Sequence, residues 1–177
     1  MAKVSYTNLK LKTNTAVKTF EIEGQQVEVL QYLPIDEKYD LIMITLGKSK
    51  DGDMYNELKL DMYFHLFLVY LYTNLSFTEK QKENDTKLFD VLSSNGIIQK
   101  VIENIPESEY NYLLDLLYTQ KENDIYFNTS VIGVVSKVIN DLPSNAQQVV
   151  DIVNNFHPEQ FSAIIDFAKA ANNGQLI

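Results

Sequence analysis

The sequence predicts a mainly α protein: a single helical bundle of about six to seven helices, with an N-terminal β-hairpin and an extended N-terminal arm. Three observations lead there. From residue 36 onward apolar residues recur at helical spacing, as in Tyr110, Leu113, Leu114, Leu117 and Tyr118, an i, i+3, i+4, i+7, i+8 stripe. Around Gly24 the period shortens to two, with Phe20 and Ile22 alternating with Thr19, Glu21 and Glu23, and Val27 and Val29 alternating with Gln26 and Glu28. Between Met62 and Tyr72, ten of eleven residues are apolar or tyrosine, His65 being the exception. A helix apolar on every side is surrounded by protein, so this one should be the central post. The domain reading is residues 1–16 as an extended basic arm, 17–33 as the β-hairpin and 34–177 as the helical domain.

Taken in order, residues 1–16 are polar with scattered Val4, Tyr6, Leu9 and Leu11, and read as an extended arm, either a lysine-bearing solvated tail or a segment ordered only on a partner. Strands are predicted from Val17 to Glu23 and from Gln26 to Tyr32, with the turn at Gly24-Gln25. Leu33-Pro34-Ile35 closes the hairpin, and Asp36 and Glu37 suit the positive end of a first helix that should stop at Gly47. Lys48 to Asp53 is the most loop-like stretch. The second helix spans about Asn56 to Asn74. Ser76 with Glu79, and Thr78 with Gln81, match the capping-box spacing and open a third helix, polar through Asp85, that buries Leu88, Val91 and Leu92 before Gly96. A fourth runs from Ile97 to Ile105, and the fifth carries the Tyr110 stripe. Ile125 to Ile139 is rich in β-branched residues and contains Gly133, yet its spacing favours helix. Pro143, Ser144 with Gln147, and Pro158 then punctuate two further helices, the first ending near Phe156.

Composition narrows the function. All 15 basic residues are lysine, and there is no cysteine. Guanidinium is the usual bidentate partner of phosphate and guanine, so its absence together with a net charge of −9 argues against nucleic acid or an anionic membrane as partner. The charge is uneven. Residues 1–20 carry Lys3, Lys10, Lys12 and Lys18 and no acid, whereas the remainder holds the other 11 lysines against 24 acids. A basic arm on an acidic body can reach an acidic neighbour, including a second copy. The apolar run Met62–Leu75 is too short and too interrupted for a membrane span, which needs roughly 20 apolar residues.

No catalytic, metal or cofactor site is predicted. The two histidines are separated: His65 lies within the apolar helix one turn after Asp61, and reads as a satisfied core histidine, while His157 reads as an exposed turn residue. Asp51, Asp53 and Glu57 lack the glycine and glutamate positions of a calcium loop. Glu107 and Glu109 read as first-turn acids on a solvated face. Phosphate loops and nucleophile elbows are missing. Eleven tyrosines and nine phenylalanines exceed what chemistry needs, and point to packing first and an interface second.

The run from Lys18 to Lys38, KTFEIEGQQVEVLQYLPIDEK, continuing into Tyr39-Asp40-Leu41-Ile42, resembles the opening of small structural and assembly proteins of tailed bacteriophages. Over residues 18–75 it is most similar to tail assembly chaperone-like proteins. The resemblance implies a non-enzymatic protein-binding factor in phage particle morphogenesis, a tail assembly chaperone or a minor virion component, working in the host bacterial cytoplasm or in the virion. Implied partners are phage structural proteins of tail or capsid, or self-association into a homo-oligomer. The expected partner-binding residues lie on the arm and hairpin: Lys10, Lys12, Lys18, Phe20, Ile22, Val27, Val29 and Tyr32. The alternative is a phage-encoded inhibitor that blocks a host protein. Interspersion of Lys80, Lys82, Lys87, Lys100 and Lys121 among the acids disfavours the dense anionic stripe such a mimic would use.

Overall fold

The computed structural model describes residues 3–134. The predicted helices around Ser144–Phe156 and after Pro158, the end of the 125–139 segment, and His157 lie outside the described residues. By its internal contacts the chain divides into two compact units, Met1–Asp124 and Ile125–Ile177.

The protein is mainly helical with an N-terminal antiparallel hairpin, as its periodicities predict. Strands β1 (Val17–Ile22) and β2 (Gln25–Leu30) pair in the register Phe20 opposite Val27 and Lys18 opposite Val29. The turn is Glu23-Gly24 and not the predicted Gly24-Gln25. Both residues have positive φ, 48° and 74°, which a two-residue turn matched to strand twist requires. One face of the ribbon carries Val27 and Val29, both buried, and Phe20 and Ile22, packed against the core.

Helix α1 (Ile35–Ser49) runs through Gly47, the predicted stop, and ends only where Lys50 turns extended. Its buried face is Lys38, Leu41, Ile42, Thr45, Leu46 and Ser49. The predicted loop contains a two-residue ribbon, β3 (Lys50–Asp51) against β4 (Met54–Tyr55), turning at Gly52 with φ 65°. Asn56 then caps α2 (Glu57–Tyr72) by accepting from the Leu58 and Lys59 amides. This is the expected post: Leu60, Phe64, Leu66, Leu68, Val69 and Tyr72 are buried, and α2 packs against α1 and β2.

The predicted third helix is two. Thr78 and Gln81 form the capping box of α3 (Glu79–Lys82), and Asn84 caps α4 (Asp85–Ser94). Leu88 and Leu92 stay buried, but Val91, predicted to be buried, is 50% exposed. Gly96, with φ 71°, leads into α5 (Ile97–Asn104), and α6 (Glu107–Thr129) follows Pro106, burying Leu113 and Leu117. Past Ser130 the chain is helical again over 131–134, so the part of the ambiguous segment that is described is helix. A Cβ at Gly133 would collide with the Phe127 carbonyl, which gives that glycine a packing reason without strand.

Candidate functional site

The hairpin offers a partner its backbone more than its side chains. Gln31 N–H donates to the Ala16 carbonyl at 3.0 Å. In an antiparallel ladder the paired and unpaired positions alternate, so the amides and carbonyls of Val17, Thr19 and Glu21 point away from β2. The opposite edge of the ribbon is engaged at its middle position. There the Glu28 amide donates to Asn74 Oδ1 at 3.1 Å, and the Asn74 amide donates to the Glu28 carbonyl at 3.3 Å, just beyond the end of α2. Among the described residues nothing bonds the outer edge of β1, which leaves that edge open along its length while β2 is tied at Glu28.

The eight predicted contact residues fall into three groups. Lys10 and Lys12 on the arm and Lys18 on β1 are exposed. Phe20 and Ile22 are half-buried against the core, and Val27 and Val29 are fully enclosed, so these four hold the ribbon in place and leave the edge as the accessible element. Tyr32 is half-buried, with Lys38 Nζ 4.1 Å from its ring centroid. The hairpin's apolar face is therefore core, because a two-stranded ribbon gains stability only by packing that face on helices.

Beneath the hairpin exit lies a polar cluster that sequence reasoning missed. Glu109, read as a solvated first-turn acid, is only 8% exposed and Lys38 only 2%. Lys38 Nζ lies 2.8 Å from Glu109 Oε2, while Glu109 Oε1 accepts from the Leu33 amide at 3.0 Å and from the Tyr72 hydroxyl at 2.8 Å. Burial pushes the Glu109 carboxyl up, but the three hydrogen bonds and the ammonium outweigh it and hold the group below the ordinary carboxylate range. Burial, reinforced by Glu109, keeps the Tyr72 phenol protonated far above its usual range. With these bonds the cluster fastens the hairpin exit to α1, α2 and α6.

His65 is a satisfied half-buried histidine: Nδ1 is 2.9 Å from the Asp61 carbonyl and Nε2 is 3.1 Å from the Tyr110 hydroxyl. Asp51 bonds Asn56 at 3.0 Å and pairs with Lys59, whose hydrogen bond is the main reason its carboxyl sits below the usual range. The aromatic residues of α2 pack on one another and on later helices, with Phe67 edge-on to Tyr70 and Tyr70 against Phe77 at 5.2 Å. Tyr112, Tyr118, Tyr126 and Phe127 remain exposed. A shallow depression of about 460 Å³ is lined by Lys48, Phe67, Tyr70, Phe77 and Asp85, and Lys48 Nζ is already bound 2.9 Å from Asp85. The Tyr70 hydroxyl beside it is buried without a partner, and burial, then Asp85, raises its pKa to about 12. Tyr70→Phe is therefore expected to be neutral or to stabilise by up to about 1 kcal/mol in urea denaturation, because it removes a desolvated group that gains no bond.

Among the described residues no helix is long and apolar enough to cross a membrane. No protein-family model matches the sequence, and neither the curated proteins nor the solved structures contain a match to it.

Proposed function

We infer that this chain is a non-enzymatic protein-binding factor in phage particle morphogenesis, a tail assembly chaperone or minor virion component, which docks partners along the open edge of β1. The observation that carries the binding mode is the asymmetry of the ribbon: β2 is tied to Asn74 at Glu28, midway along its outer side, whereas Val17, Thr19 and Glu21 keep unbonded backbone groups on the outer side of β1. An exposed strand edge is a template for an added strand, and main-chain bonds give affinity without a demanding side-chain match. That suits a partner held only until it polymerises. The resemblance of residues 18–75 to phage assembly proteins supplies the biological setting, and the exposed Lys18 on β1 favours an acidic strand.

Thr19→Pro tests the edge. Its amide points outward, so proline removes an edge donor without breaking a β1–β2 bond. Tagged wild-type protein should co-purify with tail or capsid proteins from infected cells, and the variant should lose most of that capture while its thermal midpoint stays within a few degrees. Mass spectrometry of purified virions separates the two forms of the proposal, since a virion component is present there and a chaperone is not. If the wild type captures no phage structural protein, or captures a host enzyme in its place, the proposal is wrong.

A further inference from the structure

The arm carries four large apolar side chains with nothing to cover them. Val4, Tyr6, Leu9 and Leu11 are 74%, 72%, 51% and 64% exposed. A short 3-10 turn, Tyr6–Leu9, gives local order, and the hydrogen bonds within the arm are short-range ones, such as Asn8 N–H to the Ser5 carbonyl and Ala16 N–H to Asn14 Oδ1. Between these residues stand Lys3, Lys10 and Lys12, for which no acidic partner is found among the described residues. A segment of this composition is built to lie on a surface with an apolar ridge and negative charge.

Such a surface exists on α1. Ile35, Tyr39 and Met43 follow one another at i+4 spacing, so they form a single ridge on the side of the helix away from the core. All three are exposed. Beside the ridge stand Asp36, Glu37 and Asp40, and no lysine among the described residues pairs with them. The one lysine in this half of α1, Lys38, is turned inward and neutralised by Glu109. Another exposed apolar pair, Met54 and Leu58, is less suitable, because the neighbouring acids Asp51 and Glu57 are already held by Lys59 and Lys121.

We propose that two copies of this chain associate by arm exchange, the arm of each lying along the Ile35–Tyr39–Met43 ridge of the other. Residues 3–16, extended at roughly 3.3 Å each, reach about 45 Å, which is ample to cross to a neighbour. Val4, Tyr6, Leu9 and Leu11 cover the ridge, Lys10 and Lys12 meet Asp36 and Asp40, and Tyr39 offers its ring face to an ammonium. One arm on one ridge buries less than the roughly 800 Å² per partner of a standard interface, and reciprocal exchange doubles it. The β1 edge plays no part in this contact, so it stands or falls separately from the edge reading.

Sedimentation velocity on the full chain tests it. The wild type is expected to form dimers that dissociate as salt is raised. Lys10→Glu with Lys12→Glu, and separately Asp36→Lys with Asp40→Lys, should each weaken self-association at least about tenfold, because like charges then face each other. Mixing the two variants should restore the dimer, since both arm-to-ridge contacts regain opposite charge. The arm residues are exposed and unpacked, so the lysine variant keeps its fold and decides the matter even if the α1 variant does not. A wild type that stays monomeric at the highest accessible concentration overturns the proposal, as does undiminished dimerisation with the arm charges reversed.

Discussion

Glu109→Ala is expected to destabilise the protein by about 3–5 kcal/mol, measured by urea denaturation near neutral pH, because it strands the Lys38 ammonium in a site only 2% exposed. The Leu33 amide and the Tyr72 hydroxyl lose their acceptor at the same time. Lys38→Met should cost a comparable amount by leaving the carboxylate unneutralised. The double variant Lys38→Met, Glu109→Leu should recover the part of the loss due to the unpaired charge, and not the part due to the Leu33 amide and Tyr72 hydroxyl, which still lack their acceptor. Additive losses in the double variant would show that the two residues do not act as a pair. The same cluster sets an acid response. Glu109 is held below its ordinary value of 4.5 in the folded protein, so its contribution is complete above that value. It is lost as pH falls through the depressed folded value. Wild-type stability should therefore drop on the acid side more steeply than that of the double variant, and equal slopes would contradict the assignment.

Phe64→Ala should be the most damaging of the simple truncations on α2, at about 3–5 kcal/mol, because the ring is 1% exposed and contacts Tyr110 and His65 within the core. Leu58→Ala, on the same helix but 84% exposed, should change stability by no more than about 0.5 kcal/mol. The contrast between two large apolar residues six positions apart checks which side of α2 faces protein. A Leu58 variant as costly as the Phe64 variant would mean that the exposed end of α2 is covered.

The elements that were legible in the sequence are those whose signal is local. Alternation on both sides of Gly24 located the hairpin, and the density of apolar residues from Met62 to Tyr72 located the post. Thr78 with Gln81 announced its helix through cap chemistry. What stayed hidden depended on partners distant in the chain. Glu109 after Pro106 has the same pattern as an exposed acid compensating a helix dipole, and nothing nearby says that it is buried. The available signal was Lys38. It shares the i, i+3, i+4, i+7 face with Leu41, Ile42 and Thr45, and a lysine on an apolar face demands an acid from elsewhere. The exposure of Val91 was hidden by a different cause. Leu88, Val91 and Leu92 share an i, i+3, i+4 spacing within α4, and that spacing does not say that Leu88 and Leu92 turn inward while Val91 lies on the flank. The open edge of β1 was half legible: the ribbon was evident, but which of its edges Asn74 engages depends on a contact across 46 residues.

The Glu109 carboxylate also governs when the chain can become native. Its three partners lie 71, 76 and 37 residues earlier in the chain, on Lys38, Leu33 and Tyr72. During synthesis all of them emerge before it. Until residue 109 leaves the ribosome, Lys38 lacks this counter-ion and the Leu33 amide this acceptor, so the polar anchor of the hairpin exit is completed only by a contact of high sequence separation, the kind that slows folding.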